Sequence, residues 1–284
     1  MATLPDLFPW LEGERIHELF STIVVKRPAA DGSGYEVVKA GPIHVGEIAM
    51  HRCATENTSV KSPKVRSVID PPPGYKFGGV AMDFVPGVPL EAVWPNLIDI
   101  DKQSLKRQLQ EQILYLRSCT LDYIGRVGDE RWLPDPYHPS IRTDCGPFTN
   151  EEEFDSHKVN ELAKRDPNLS LELGKLLKDL RLSAASSQFV LTHGDLCTHN
   201  IIVQNHGKAG STDWQISGLI DWGMSGFYPP YMEYTMAVNH MGHEHDWRMF
   251  LKEALEEIGL GASVERIRAE ARAVHYLFGQ PYYI

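Results

Sequence analysis

"LTHGDLCTHNIIV", residues 191–203, sets His193, Asp195, His199 and Asn200 between two apolar runs. A tight turn, a metal site and a catalytic loop all suit such a stretch. Asp and Asn favour turns and caps, while His193, Asp195 and His199 in an H-x-D-x-x-x-H arrangement offer ligands that zinc accepts. The sequence that follows bears on the choice. "NIIVQ" and "ISGLIDW" read as short strands flanking the polar, glycine-bearing "NHGKAGSTDWQ", which predicts a β-hairpin with strands near 201–204 and 216–220. The start of the first strand and the end of the second then share one edge. Asn200 and Asp221 become neighbours there, with Asp195 on the loop leading in. The zinc reading explains neither Asn200 nor Asp221.

Bulk properties narrow the class. The chain has 284 residues, 42% hydrophobic and 23% charged, enough for one large domain or two packed lobes. A formal charge of −10 argues against nucleic-acid binding, which needs clustered Lys and Arg. No stretch approaches the ~20 apolar residues of a membrane span. The start, "MATLPDLFPWLEGER", lacks the basic and apolar segments of a secretory signal. Cys53, Cys119, Cys145 and Cys197 are scattered without a CxxC pair, as reduced thiols are. The expectation is a soluble cytoplasmic protein.

The first ninety residues read as strands with one helix. "STIVVKRP" (21–28) and "YEVVKAG" (35–41) are β-branched runs joined by "AADGSG", a hairpin connection. "HVGEIAMHRCATEN" (44–57) predicts a helix with Val45, Ile48, Ala49 and Cys53 on one side. "VAMDFV" (80–85) reads as a strand that ends at "PGVPLEAVWP", whose Pro and Gly forbid regular structure. The expected division falls near 83–90, giving a β-rich unit over 1–85 and a larger one over 86–284. Helices follow over 101–119, with Asp101 as N-cap, over 169–182, over 247–258 and over 264–277. Residues 125–150 read as irregular surface. "NEEEFD" (150–155) reads as a solvated helix start, or as a lure for a cationic substrate. His240, His243 and His245 read as loop or pocket wall, because their spacing does not keep one helix face. Cys197 has no neighbouring base dictated by sequence, so it is not read as a nucleophile.

Two carboxylates and a carboxamide at one loop edge suit Mg²⁺, a hard cation that takes oxygen ligands. Asp-x-x-x-x-Asn is also the spacing of a kinase catalytic loop, in which the Asp takes the substrate hydroxyl's proton and the Asn holds Mg²⁺. That scheme calls for a strand Lys and a helical Glu upstream, and Lys39 and Glu47 answer it.

"HGDLCTHNIIV" together with "LIDWGMSGFYPPYMEY" resembles the aminoglycoside phosphotransferase and choline kinase family, the small-molecule branch of the protein-kinase-like fold. "VVKAG", "GEIAMHRCATENTSVKSPKV", "VAMDFVPGVPLEAVWP" and "LRSCTLDYIGRVG" are similar to fungal members of it. The likeness runs over roughly residues 35–240. It implies an α/β (α+β), two-lobed kinase-like fold, with a small β-rich nucleotide-binding N-lobe and a larger, mainly helical catalytic and substrate-binding C-lobe.

By the same resemblance, Lys39 meets the ATP α- and β-phosphates and pairs with Glu47. Met82, Asp83, Phe84 and Val85 form the hinge whose backbone meets adenine. Asp195 is the catalytic base, Asn200 and Asp221 bind Mg²⁺, His193 braces the loop, and Glu233 is structural. The implied reaction is ATP- and Mg²⁺-dependent phosphorylation of a small-molecule hydroxyl. Specificity is expected in 125–160 and 228–250. One departure stands out: no glycine follows Gly13 in "ERIHELFST", so the phosphate cover is expected to be short, degenerate or replaced by other amides. That departure keeps two alternatives in view, a pseudokinase that binds nucleotide without transfer and a kinase-like fold turned to non-phosphoryl chemistry.

Overall fold

The computed structural model describes residues 8–19, 21–135, 144–181, 188–208, 212–239, 245–261 and 263–278. The N-terminal part is a five-stranded antiparallel sheet in the order β1-β2-β3-β5-β4. Its strands are β1 (Glu14–Leu19), β2 (Thr22–Pro28), β3 (Tyr35–Ala40), β4 (Val65–Ile69) and β5 (Gly79–Asp83), with helix α1 (Val45–Asn57) between β3 and β4. The β2–β3 hairpin turns through Asp31–Gly34 as its composition predicts. Ile23, Val25, Val38, Ala40 and Ala81 project to one face and form a small core with Phe8, the period-2 pattern of a half-buried sheet.

β1 carries no such signal. "ERIHEL" sets its two apolar residues, Ile16 and Leu19, three apart among polar ones, so it has no period-2 pattern, and Ile16 on this edge strand is 46% exposed. It pairs with β2 through Leu19↔Thr22, and the sequence between Gly13 and Thr22, where a glycine-rich loop was sought, holds no glycine. Gly41 makes room beside it: at φ 151°, a Cβ there would lie 2.8 Å from Ser21 O.

α1 buries a different face from the one expected. Val45 is 64% exposed, whereas Met50, His51, Cys53 and Ala54 are buried. Positions 47, 50, 51 and 54 share one helical face, so the face that holds Glu47 toward the sheet is also the one that packs. His51 fixes this orientation, its Nε2 lying 2.5 Å from Pro63 O and its ring stacked on Trp222.

The chain then crosses β6 (Val88–Pro89), which pairs with a later strand, and two single-turn 3₁₀ segments at 90–92 and 94–96. "PGVPLEAVWP" is therefore more ordered than its Pro and Gly suggest. Next come α2 (Asp99–Arg117), β7 (Thr120–Leu121), β8 (Leu133–Pro134), β9 (Asp144–Cys145), α3 (Glu151–Ala163) and α4 (Pro167–Leu180). They are followed by β10 (Phe189–Thr192), β11 (Ile201–Asn205), β12 (Trp214–Leu219), β13 (Gly226–Tyr228), α5 (Met232–Asn239), α6 (His245–Glu257) and α7 (Val264–Phe278). All seven helices of the described residues except α1 lie after residue 98. No helix among those residues is long and apolar enough to cross a membrane.

The leucine stripes are core: Leu105, Leu109, Ile113 and Leu116 of α2 and Leu173 and Leu177 of α4 belong to the main cluster. α4 starts two residues early because Asp166 caps Leu169 N and Pro167 takes the first position. Asp101 is not a cap. It lies inside the first turn of α2, buried, and accepts Thr212 Oγ1 at 2.7 Å.

The acidic start of α3 is not solvated throughout. Asn150 caps Glu153 N, but Asp155 is 1% exposed and joins Lys158, Arg266 and Glu270 in a buried ion network tying α3 to α7. Buried charges persist where each finds opposite partners.

Candidate active site

The predicted hairpin forms: β11 and β12 pair antiparallel from Ile201↔Leu219 to Asn205↔Trp214. Ile220 N donates to Asn200 O at 2.9 Å, which brings Asn200 beside Asp221. The loop before β11 closes on itself, because Asn200 Nδ2 donates to Asp195 Oδ2 at 2.9 Å and to Asp195 O at 3.0 Å. With its nitrogen committed, Asn200 has its amide oxygen left to offer a hard cation.

Lys39 reaches this edge from the sheet. Its Nζ lies 2.7 Å from Glu47 Oε1 and 3.2 Å from Asp221 Oδ1. Burial works against the ammonium, but Glu47 and then Asp221 outweigh it and hold the Lys39 pKa above its ordinary value. For Asp221, enclosure pushes the carboxyl up; Lys39 and the Gly223 amide prevail and keep it below the usual carboxylate value. Asp221 adopts φ 63°, a conformation Asp tolerates better than most residues. Its side chain stays 45% exposed, open to an incoming ligand.

His193 has the bracing role expected of it. Its Nδ1 accepts Asp195 N at 3.3 Å, which leaves Nε2–H to donate to Ile220 O at 3.1 Å. It therefore does not converge with Asp195 and His199. A different trio does, since donor atoms of Asp195, Cys197 and His199 all lie within 4.8 Å of one another. Cys197 is buried 3.0 Å from His199 Nε2, and burial followed by the nearby Asp195 charge pushes its thiol up. Such a thiol is a poor nucleophile. His245 lies at the start of α6 and is exposed, while His240 and His243 fall outside the described residues.

Glu233, in the first turn of α5, is 2% exposed and accepts His193 N at 2.7 Å and Gly194 N at 3.1 Å. It clamps the two amides that lead into Asp195. Gly194 is required between them: its φ is +80°, and a Cβ would come within 2.7 Å of Met224 O.

Two further supports escaped sequence reasoning. Trp222 sits between the His51 and His193 rings and donates from Nε1 to Ser62 Oγ at 3.0 Å. Arg126, 1% exposed, donates to Ser225 O at 3.0 Å and to Gly223 O, bracing the turn after Asp221. The tryptophan in "IDW" was visible as a motif letter. Arg126 lies in a stretch that reads as irregular, with no local signal of burial.

A strand lysine paired to a helical glutamate, an Asp–Asn loop and an aspartate returned by a hairpin thus meet at one edge. The chain belongs to the phosphotransferase enzyme family, whose model matches residues 45–273. No curated protein matches it.

Solved structures of the same fold are far in sequence. A thermostable mutant of aminoglycoside phosphotransferase APH(4)-Ia, in ternary complex with ADP and hygromycin B, is 14% identical with a TM-score of 0.58, over 92% of this chain and 83% of that one. A putative aminoglycoside phosphotransferase from Ralstonia eutropha is 15% identical with a TM-score of 0.52, over 96% and 77%. The GDP and kanamycin complex of APH(2")-IIIa is 17% identical with a TM-score of 0.50, over 96% and 86%. The chain has the kinase-like aminoglycoside phosphotransferase fold, a mixed α/β architecture with the sheet first and most helices after it. The family makes it a small-molecule kinase by class.

Proposed function

We propose that this enzyme transfers the γ-phosphoryl group of ATP to a hydroxyl of a small molecule, with Asp195 as the base. The observation that carries the reading is the Lys39–Glu47 pair at 2.7 Å, whose lysine also reaches Asp221 at 3.2 Å. That pairing spans the sheet, α1 and the β12 edge, and it is the arrangement phosphoryl transfer uses to seat the nucleotide. The donor set fits Mg²⁺: an open carboxylate on Asp221 and the amide oxygen of Asn200. Mg²⁺ bound there would neutralise phosphate charge.

Lys39, held by Glu47, would add a fixed positive charge beside the α- and β-phosphates. Asp195, oriented by Asn200 and by the clamped amides before it, would accept the proton of the attacking hydroxyl. In this reading residues 1–85 form the nucleotide lobe, residues 86–284 form the catalytic and acceptor lobe, and Met82 to Val85 are the hinge. The backbone of this hinge would meet adenine, with Asp83 N already committed to Lys64 O at 3.0 Å. The structural neighbours bound to hygromycin B and kanamycin support a polyhydroxylated acceptor.

The test is phosphoryl transfer from ATP·Mg²⁺ across a panel of aminoglycosides, sugars and amino alcohols. Transfer to at least one acceptor, abolished in a folded Asp195→Ala variant, is the expected result. Full activity in that variant would end the reading. The glycine-free sequence between Gly13 and Thr22 favours one rival, a protein that binds nucleotide without transferring phosphate. Tight Mg²⁺-dependent ATP binding with no transfer across the panel would favour it.

A further inference from the structure

We propose that Asp135, Cys145 and His157 form a zinc site, separate from the Asp195 loop, that ties the β8–β9 pair to α3. The fold brings the three together from separate elements. β8 and β9 pair antiparallel through Leu133↔Cys145 and Pro134↔Asp144, which sets Asp135, the residue after β8, beside the start of β9 and two positions from the residue opposite Cys145. His157 comes from the second turn of α3 and is held by the Phe148 ring, centroids 5.5 Å apart. One donor atom from each residue lies within 4.8 Å of the other two. Tetrahedral zinc, with bonds of about 2.0–2.3 Å, spaces its ligands by about 3.3–3.8 Å. A contraction of about 1.5 Å at most closes the site.

The chemistry selects the metal. A carboxylate, a thiolate and an imidazole are zinc ligands, and the sulfur disfavours Mg²⁺ and Ca²⁺. Asp135 and Cys145 are each 4% exposed, so the site is shielded on two sides, and His157 Nε2 already lies 3.2 Å from Asp135 Oδ2.

On binding, the Cys145 S–H bond breaks and a Zn–S bond forms, releasing one proton to solvent. The imidazole proton shifts to Nδ1 as Nε2 turns to the metal. A fourth position remains for water. Asp144, next to Cys145, lies 3.6 Å from His44, the N-cap of α1, so the tie steadies the strand against which the Glu47 helix begins.

The test loads the full-length chain with zinc, removes the excess by gel filtration and counts metal by mass spectrometry. One zinc per chain is expected in the wild type and in Cys197→Ala, and close to none in Cys145→Ala and His157→Ala. Zinc absent from the wild type, kept by both Cys145 and His157 variants, or lost only in Cys197→Ala would overturn the proposal. If those two variants do not fold, cobalt substitution of a Cys53→Ala/Cys197→Ala protein decides. A thiolate-to-cobalt charge-transfer band supports the site, and its absence refutes it.

Discussion

Glu233 offers the sharpest link between fold and catalysis. Its carboxylate is buried and takes both N–H groups of His193 and Gly194, which are themselves buried. Glu233→Ala removes the acceptor and leaves two amides orphaned, each at about 1–3 kcal/mol. Relief of the buried charge offsets part of this, so the net loss should be about 3 kcal/mol. For a chain of this size that lowers the melting temperature by roughly 6–12 °C.

Glu233→Gln keeps one acceptor oxygen but turns an NH₂ toward the second amide, so it should fall between wild type and Ala. Both variants should lose kcat more than nucleotide affinity, because the clamp positions Asp195 and touches neither Lys39 nor Asp221. Differential scanning fluorimetry paired with steady-state kinetics reads both effects. A melting temperature unchanged in Glu233→Ala, or a Gln variant worse than Ala, would refute the clamp.

Other consequences follow from single residues. Burial holds the His51 pKa at about 4, down from 6.5, so the ring is neutral in the fold. Its contribution to stability is complete above pH 6.5 and is lost as pH falls toward 4, by about 3 kcal/mol in all. The stability gap between wild type and His51→Gln in urea should therefore shrink over that window, and a constant gap would refute the assignment. Gly194→Ala forces a side chain into a left-handed conformation against Met224 O and should cost at least about 1–2 kcal/mol. Thermal denaturation checks the loss, and turnover should fall with it. Arg126→Leu leaves the half-buried Gly223 carbonyl and the buried Ser225 carbonyl without this donor. It should weaken Mg²⁺-dependent nucleotide binding, measured by calorimetry, more than it weakens binding in chelator.

Much of the site was legible because its signals are local. The β-branched runs around Lys39 and on both sides of "NHGKAGSTDWQ" dictated strands, and strand pairing alone put Asn200 beside Asp221. The leucine stripes of α2 and α4 were equally plain. Features that depend on tertiary partners were not. β1 is an edge strand whose apolar residues, Ile16 and Leu19, fall three apart, so neither period nor composition marked it. The packed face of α1 was misjudged because His51 and Glu47, polar residues, turn inward to meet Pro63 and Lys39. Asp155 looked solvated because its partners Arg266 and Glu270 lie more than a hundred residues away. Arg126 could be recognised only once the turn after Asp221 was in place above it.

The central claim is that Lys39, Asn200 and Asp221 hold a metal-bound nucleotide. Calorimetric titration of ATP with Mg²⁺ and with chelator, in wild type and in Asp221→Asn, tests it most directly. The account predicts clear strengthening by Mg²⁺ in the wild type and loss of that strengthening in the variant. Equal affinity with and without Mg²⁺ in the wild type, or full Mg²⁺ dependence in Asp221→Asn, would contradict it.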